Sequence, residues 1–308
     1  MHKSSQRRAY GETLLALCRE NRNILVLDAD LGGSTMGKLV EQALPEQHIE
    51  MGIAEANMAS VAGGLARVGK IPFINSFAVF AAGRAYDQIR QSVAIGKLNV
   101  KICGSSAGLS DFGDGATHQS IDDLAYMRVI PNMTVLVPAD AAETAAMTRY
   151  MAQTPGPMYM RVNRNDVPDL FDEDYRFVPG QYPVLREGTQ VCIFACGITV
   201  PMALAAAQAL EDRVSVKVVN VNQLKPMSAE VIAGLCAGCQ SVVTAEEHSI
   251  IGGLGSAIAQ CLARTPIPIT FVGVNDCYGS SAHSYADALA YVGITQERIE
   301  QAVLDSIL

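Results

Sequence analysis

The sequence predicts an α/β protein made of two doubly wound domains, each built on a mainly parallel sheet. Short β-branched runs alternate with longer helix-patterned runs along the chain. The strand-like runs are almost continuously apolar, as strands covered on both faces are. The alternation breaks once, at about residues 166–188, where no helical period is visible. The expected division is a first domain over 1–165, a linker over 166–188 and a second domain over 189–308.

In the first domain, "NILVLDAD" (23–30), "KIPFINSF" (70–77), "LNVKICGS" (98–105), "MTVLVPAD" (133–140) and "GPMYMRVN" (156–163) read as strands. Helical stretches fall at 54–68, 82–96 and 140–152. In "PADAAETAAM", Asp140 stands as an N-cap with Glu143 three residues on, the signature of a capping box. The linker carries three prolines and a charge cluster. After it, "QVCIFACG", "VSVKVVNV", "SVVTAEE" and "IPITFVGV" are strands, and a final helix is expected at about 295–307. No sequence repeat relates the two series.

Composition narrows the functional classes. The 308 residues can bury two cores. The chain is 49% hydrophobic, 18% charged and free of Trp, an apolar excess that suits surface buried against another chain. A formal charge of −8 without a Lys/Arg cluster argues against nucleic acid or an anionic membrane as partner. No run approaches the ~20 apolar residues of a membrane span, and "MHKSSQRRAYGETL" has no apolar signal core, so a cytoplasmic location is expected. The eight cysteines are dispersed in apolar runs and read as reduced core thiols. Cys236 and Cys239 form a C-x-x-C without a second pair, read as two buried bystanders rather than a metal site.

In open α/β sheets, ligands gather at the carboxyl ends of strands. Glu55, Phe77, the loop "GSSAGLSDFGDGATHQS" (104–120) and Arg161 all fall just beyond predicted strands. Taken singly, Glu55 suits a carboxylate at a helix N-terminus, Phe77 and Phe80 suit core positions, and Asp114 with His118 suits a loop hydrogen bond. Four glycines, two aspartates and a histidine in one loop suit a ligand-facing turn better than a spacer.

The segments "GIAEANMASVAGGLA", "NSFAVFAAGRAYDQIRQSVA", "DGATHQSIDDLAYMRVIPNMTVLVPAD" and "MRVN" resemble the central and C-terminal regions of transketolase, and are also similar to 1-deoxyxylulose-5-phosphate synthase. "TAEEHSIIGGLGSAI" resembles the C-terminal domain of the same superfamily. The resemblance implies a cofactor, thiamine diphosphate, whose aminopyrimidine N1′ shares a proton with Glu55. A buried carboxyl there favours the imino tautomer that deprotonates the thiazolium ring, while the cofactor performs the carbanion chemistry. Phe77 and Phe80 match the aromatic pocket for the pyrimidine. Gly83 stands where transketolases usually carry a further tyrosine, which leaves that wall thin or filled by Tyr86.

By the same resemblance, Asp114 and His118 touch the donor sugar, with His118 able to shuttle a proton near neutral pH. Arg161, Arg7 and Ser34 match contacts to the sugar phosphate, and a guanidinium fork is a natural phosphate partner. Asp30 matches an acidic residue near the cofactor and subunit interface. Ser106 replaces a phosphate-binding histidine, so a pentose phosphate is a default rather than a deduction.

One half of the family's machinery is not recognisable. Gly113–Asp114–Gly115 spells a G-D-G, but Asn132 comes too early for the family's diphosphate motif. The resemblance therefore implies the C-terminal subunit of a split transketolase. A separate N-terminal diphosphate-binding chain would hold the diphosphate and its Mg²⁺, as an α₂β₂ assembly. The alternatives are the beta subunit of a 2-oxo acid dehydrogenase decarboxylating component, a deoxyxylulose-phosphate synthase, or a non-catalytic paralogue. His248 and His283 are expected to be structural.

Overall fold

A computed structural model describes residues 2–307. Fourteen strands follow in chain order: β1 (Lys3–Ser5), β2 (Ile24–Asp28), β3 (His48–Glu50), β4 (Ile71–Phe77), β5 (Lys101–Ser105), β6 (Thr134–Leu136), β7 (Met158–Arg161), β8 (Asp166–Pro168), β9 (Val184–Arg186), β10 (Val191–Ala195), β11 (Val216–Asn220), β12 (Gln223–Lys225), β13 (Ser241–Ser249) and β14 (Ile269–Val274). Apart from the two-stranded pair of β1 and β8, they form a seven-stranded sheet in the order β12-β6-β7-β5-β4-β2-β3 and a five-stranded sheet in the order β14-β13-β10-β11-β9. Both are mainly parallel, with antiparallel pairing confined to the edges at β12–β6 and β11–β9. The doubly wound α/β class read from the sequence is the class observed.

The segment read as a connector carries β8, which pairs with β1, and β9, which edges the second sheet. The strand β12, from the second half of the chain, completes the first sheet. Of these pairings, β12–β6 joins the two halves of the chain in one sheet. None is visible to a local pattern, because each strand is only three residues long.

Helix 141–153 starts as its capping residues dictate. The Asp140 carboxylate accepts from Glu143 N–H at 2.8 Å, and the Glu143 carboxylate reaches back to Ala139 N–H at 2.8 Å. The stretch expected as one helix over 82–96 is instead wound with two π-helical segments, Val79–Arg84 and Ile89–Ala94, around a short α turn. A π turn absorbs one extra residue, and Gly83 weakens the α alternative at that point.

The small-residue face of helix Glu55–Arg67 is used within the chain. A Cβ on Gly63 would lie 2.5 Å from the Ser92 carbonyl, so only glycine lets these two segments approach. Ile53, Val68 and Ile95 remain exposed on the outside of this pair.

The loop after β2 is held by a buried carboxylate. Asp28 accepts from Thr35 Oγ1 at 2.7 Å and lies 2.9 Å from His48 Nε2. Gly37 packs so closely on Asp28 that a Cβ would stand 1.9 Å from Oδ2. Gly37→Ala should therefore cost about 1–3 kcal/mol in urea unfolding. The hydrogen bond to Asp28 raises the His48 pKa against the opposing pull of burial. A folded value above the unfolded one stabilises most at low pH, and that increment is lost as pH rises through the raised value. Relative to His48→Gln, the wild-type urea midpoint should be highest at acid pH, and the difference should shrink as pH rises past the ordinary histidine value.

Candidate functional site

The carboxyl edge of the first sheet brings together side chains from three strand ends. Glu55 opens the helix after β3, where a carboxylate is favoured by the helix dipole, and is only 3% exposed. Phe77 ends β4 and Phe80 follows in the first π turn, their rings near-parallel with centroids 6.0 Å apart. His118, in the loop after β5, stands edge-on to Phe80 at 5.3 Å and to Phe77 at 6.3 Å. Phe77, Phe80 and His118 form one aromatic cluster, and Glu55 is joined to it through Arg84.

Arg84 is the member that the sequence reading missed. Its guanidinium lies 4.1 Å above the Phe80 ring centroid, and Nη1 is 3.2 Å from Glu55 Oε1. Arg84 directly follows Gly83, the position at which the resemblance leaves the pocket wall thin. Tyr86 does not fill that wall and packs edge-on to Tyr126 at 5.9 Å. The available signal was the Gly-Arg pair itself, had the helical period been relaxed by one residue.

A cationic end adjoins the pocket. Arg164 lies 5.9 Å from the Phe77 centroid and binds Asp111 at 2.6 Å. Asp111 is raised above the usual carboxylate range by burial, with Arg164 opposing and neighbouring Asp114 adding to the shift. Arg7 donates to the Ser34 carbonyl at 3.1 Å. Its pKa is lowered by burial and then by the Arg164 charge, so two guanidinium groups face the same region. A cleft of about 690 Å³ flanks Arg7, lined also by Ser5, Met36 and Asp166.

Arg161 requires a correction. It was expected to meet a sugar phosphate, but it is 5% exposed and its fork is spent internally. Nε donates to Asp123 Oδ2 at 3.0 Å, Nη1 to the Glu247 carbonyl at 2.9 Å and Nη2 to the Ser120 carbonyl at 2.9 Å. Three residues further on, Arg164 has the partial exposure and the position that Arg161 lacks. The remaining expected residues divide similarly. Ser106 is buried with a left-handed φ of 50°, and its hydroxyl has no partner. Asp30 is exposed with φ of 58°, its N–H donating to Glu50 at 2.8 Å, and no contact with the aromatic pocket is found among the described residues.

Among the described residues, no three His, Cys, Asp or Glu side chains are grouped to hold a metal ion, and no helix is long and apolar enough to cross a membrane. A buried carboxylate beside stacked aromatic rings fits a flat, hydrogen-bonding heteroaromatic ring. The Arg84 guanidinium, itself flat and donating, already makes both kinds of contact.

This arrangement is the one expected of the pyrimidine-binding half of a thiamine-diphosphate enzyme. Residues 2–169 match the transketolase pyrimidine-binding domain, and residues 180–299 match the transketolase C-terminal domain. The chain belongs to the transketolase family. It is 40% identical over 306 residues to a putative transketolase C-terminal section of Methanocaldococcus jannaschii, covering 98% of this chain and 96% of the relative. It is 42% identical over 275 residues to a 6-deoxy-6-sulfo-D-fructose transketolase subunit of a Clostridium species, covering 89% of this chain and 85% of the relative. A solved structure described as a split gene transketolase, inactive beta4 tetramer, superposes with a TM-score of 0.90 at 46% identity over 99% of both chains.

The two arginines separate by stability. Arg161→Met should lower the unfolding free energy by about 3–5 kcal/mol, because Asp123 would be left buried without its cation. Arg164→Ala should cost less, about 1–3 kcal/mol, because Arg164 is itself a third exposed although its partner Asp111 is left buried. Chemical denaturation of the two variants checks both.

Proposed function

We propose that this chain is the pyrimidine-domain subunit of a two-chain transketolase that moves a two-carbon ketol unit from a ketose to an aldose. The observation that carries the reading is buried Glu55 beside the Phe77–Phe80 pair, with His118 edge-on to the same rings. Thiamine diphosphate, when bound, supplies the carbanion chemistry that breaks and remakes the carbon–carbon bond. Glu55 would hold a proton at the aminopyrimidine N1′, and Phe77 and Phe80 would orient the ring. Arg84 holds Glu55 Oε1, so the ring would meet the other carboxylate oxygen or displace the guanidinium.

His118 would carry a proton to and from the sugar oxygens, with Asp114 in the same loop binding a sugar hydroxyl. Arg7, Arg164 and the Ser34 turn would bind the anionic tail. A phosphate suits this pair, and so does the sulfonate implied by the name of the Clostridium relative. Asp30, exposed at the end of β2, is assigned to the rim shared with the partner chain. The diphosphate and Mg²⁺ are assigned to a separate diphosphate-binding subunit in an α₂β₂ assembly. Ile53, two residues from Glu55 and 73% exposed, supports a covering partner at that rim.

Titrating thiamine diphosphate with Mg²⁺ into this chain, the partner chain and their mixture tests the division of labour. Tight binding only in the mixture is the expected result, and tight binding by this chain alone would overturn it. Glu55→Gln should abolish turnover while the assembly stays intact by size-exclusion chromatography. His118→Ala should reduce kcat by about 10²–10⁴-fold. Arg164→Ala should raise KM for an anionic ketose while leaving kcat within about threefold, the mark of a contact equal in ground and transition states.

A further inference from the structure

The C-terminal domain is without a role in the chemistry described above, yet it grips the loop that bears Asp114 and His118 at several points. Glu247, on β13, is fully buried at the junction of the two domains. Its Oε1 accepts from the Leu109 N–H at 2.7 Å and from the Tyr285 hydroxyl at 2.8 Å. Tyr285 in turn accepts from Asn163 Nδ2 at 2.6 Å, in the segment leading from β7 to Arg164. A Cβ on Gly108 would stand 2.3 Å from the Glu247 carboxyl carbon, so the glycine is what lets the loop reach that carboxylate.

Three further contacts come from the segment between β14 and helix Tyr285–Tyr291. The Phe112 carbonyl accepts from Ala282 N–H at 2.9 Å, and Gln119 Nε2 donates to the Ser280 carbonyl at 3.0 Å. Gly115, with φ of 75°, packs so that a Cβ would meet Ser281 Oγ at 2.4 Å. The loop is thus fastened at 109, 112, 115 and 119, on both sides of Asp114 and immediately beside His118. Its only charged anchor among these contacts is Glu247.

We propose that the C-terminal domain sets the height of the substrate loop, with Glu247 as the positioning residue that holds Asp114 and His118 against the aromatic pocket. Glu247 touches no reacting atom and acts through Leu109. The proposal rests on the reading of His118 and Asp114 as substrate-facing groups. The donors that meet Glu247 require an acceptor oxygen, not a charge. An amide at this position therefore preserves the anchor, while a methyl group leaves the Leu109 N–H and the Tyr285 hydroxyl without it.

The test combines amide hydrogen exchange on the full chain with kinetics of the reconstituted complex. In Glu247→Ala, exchange of peptides over 107–120 should accelerate by at least about tenfold. KM for the donor ketose should rise by at least about tenfold, with the affinity for thiamine diphosphate within about twofold of wild type. Glu247→Gln should return both readouts to within about threefold, because its amide oxygen accepts the same two donors. Tyr285→Phe, which keeps the fold's packing, should accelerate loop exchange by about two- to fivefold, and it decides the matter if Glu247→Ala does not fold.

Unchanged loop exchange in Glu247→Ala or, should that variant not fold, in Tyr285→Phe would overturn the proposal. So would equal losses in the Ala and Gln variants, or a cofactor affinity that falls in step with KM. The exchange measurement needs neither partner nor substrate. Loosening as expected, combined with no ketol transfer by the wild-type complex, would retain the anchor and reject the transketolase reading instead.

Discussion

Arg161 closes β7 of the first sheet, and its donor fork reaches three other elements, the loop after β5, helix Asp123–Val129 and β13 of the second sheet. Removing a guanidinium from water costs several kcal/mol unless every donor finds a partner. Asp123, Ser120 and Glu247 provide them. Burial works against the charge, but the Asp123 and Glu247 carboxylates more than offset it, so the group's pKa is raised. Asp123 Oδ2 also accepts from Tyr159 at 2.7 Å, which fixes the carboxylate from beneath the sheet. Lysine would offer its three N–H groups from a single nitrogen, whereas these three acceptors are met by three different guanidinium nitrogens.

Around that node the chemistry divides into a rigid side and an open side. On the rigid side, the C-terminal domain meets the loop through buried hydrogen bonds and glycine contacts that allow no added Cβ. On the open side, Phe80 is partly exposed and Arg84 is half in solvent, holding Glu55 across the ring face. A half-site that awaits another surface has this character. Its own elements are fixed from behind, and its ligand face ends in side chains able to move. The charge distribution follows the same division, with Arg7 and Arg164 near the mouth and Arg161 sealed in the interior.

Much of this was legible in residue patterns. The alternation of apolar strands with helical runs, and the Asp140–Glu143 cap, depend on neighbours a few positions apart. Glu55, Phe77, Phe80 and His118 could be proposed as one site because each follows a strand, and parallel strands deliver their carboxyl ends to one edge. Arg84 escaped because one extra residue in a π turn shifts the helical phase, and a 3.6-residue period cannot register that. In "MRVNRN" Arg161 closes a strand and Arg164 lies three residues on, and no local pattern tells which of the two is buried.

The sequence by itself determined the fold class, most of the strands and helices, and the candidate acid, aromatic and histidine groups. Those features follow from periodicity, capping and local residue chemistry, all short-range properties of the chain. The tertiary structure decided that Arg161 is buried with its fork occupied and that Arg164 is partly exposed. It decided that β12 crosses to the first sheet and that Glu247, 138 residues from Leu109, accepts a hydrogen bond from the loop after β5. Such pairings are set by how two sheets pack against each other, and burial of a charged group is a property of that packing rather than of the residues beside it.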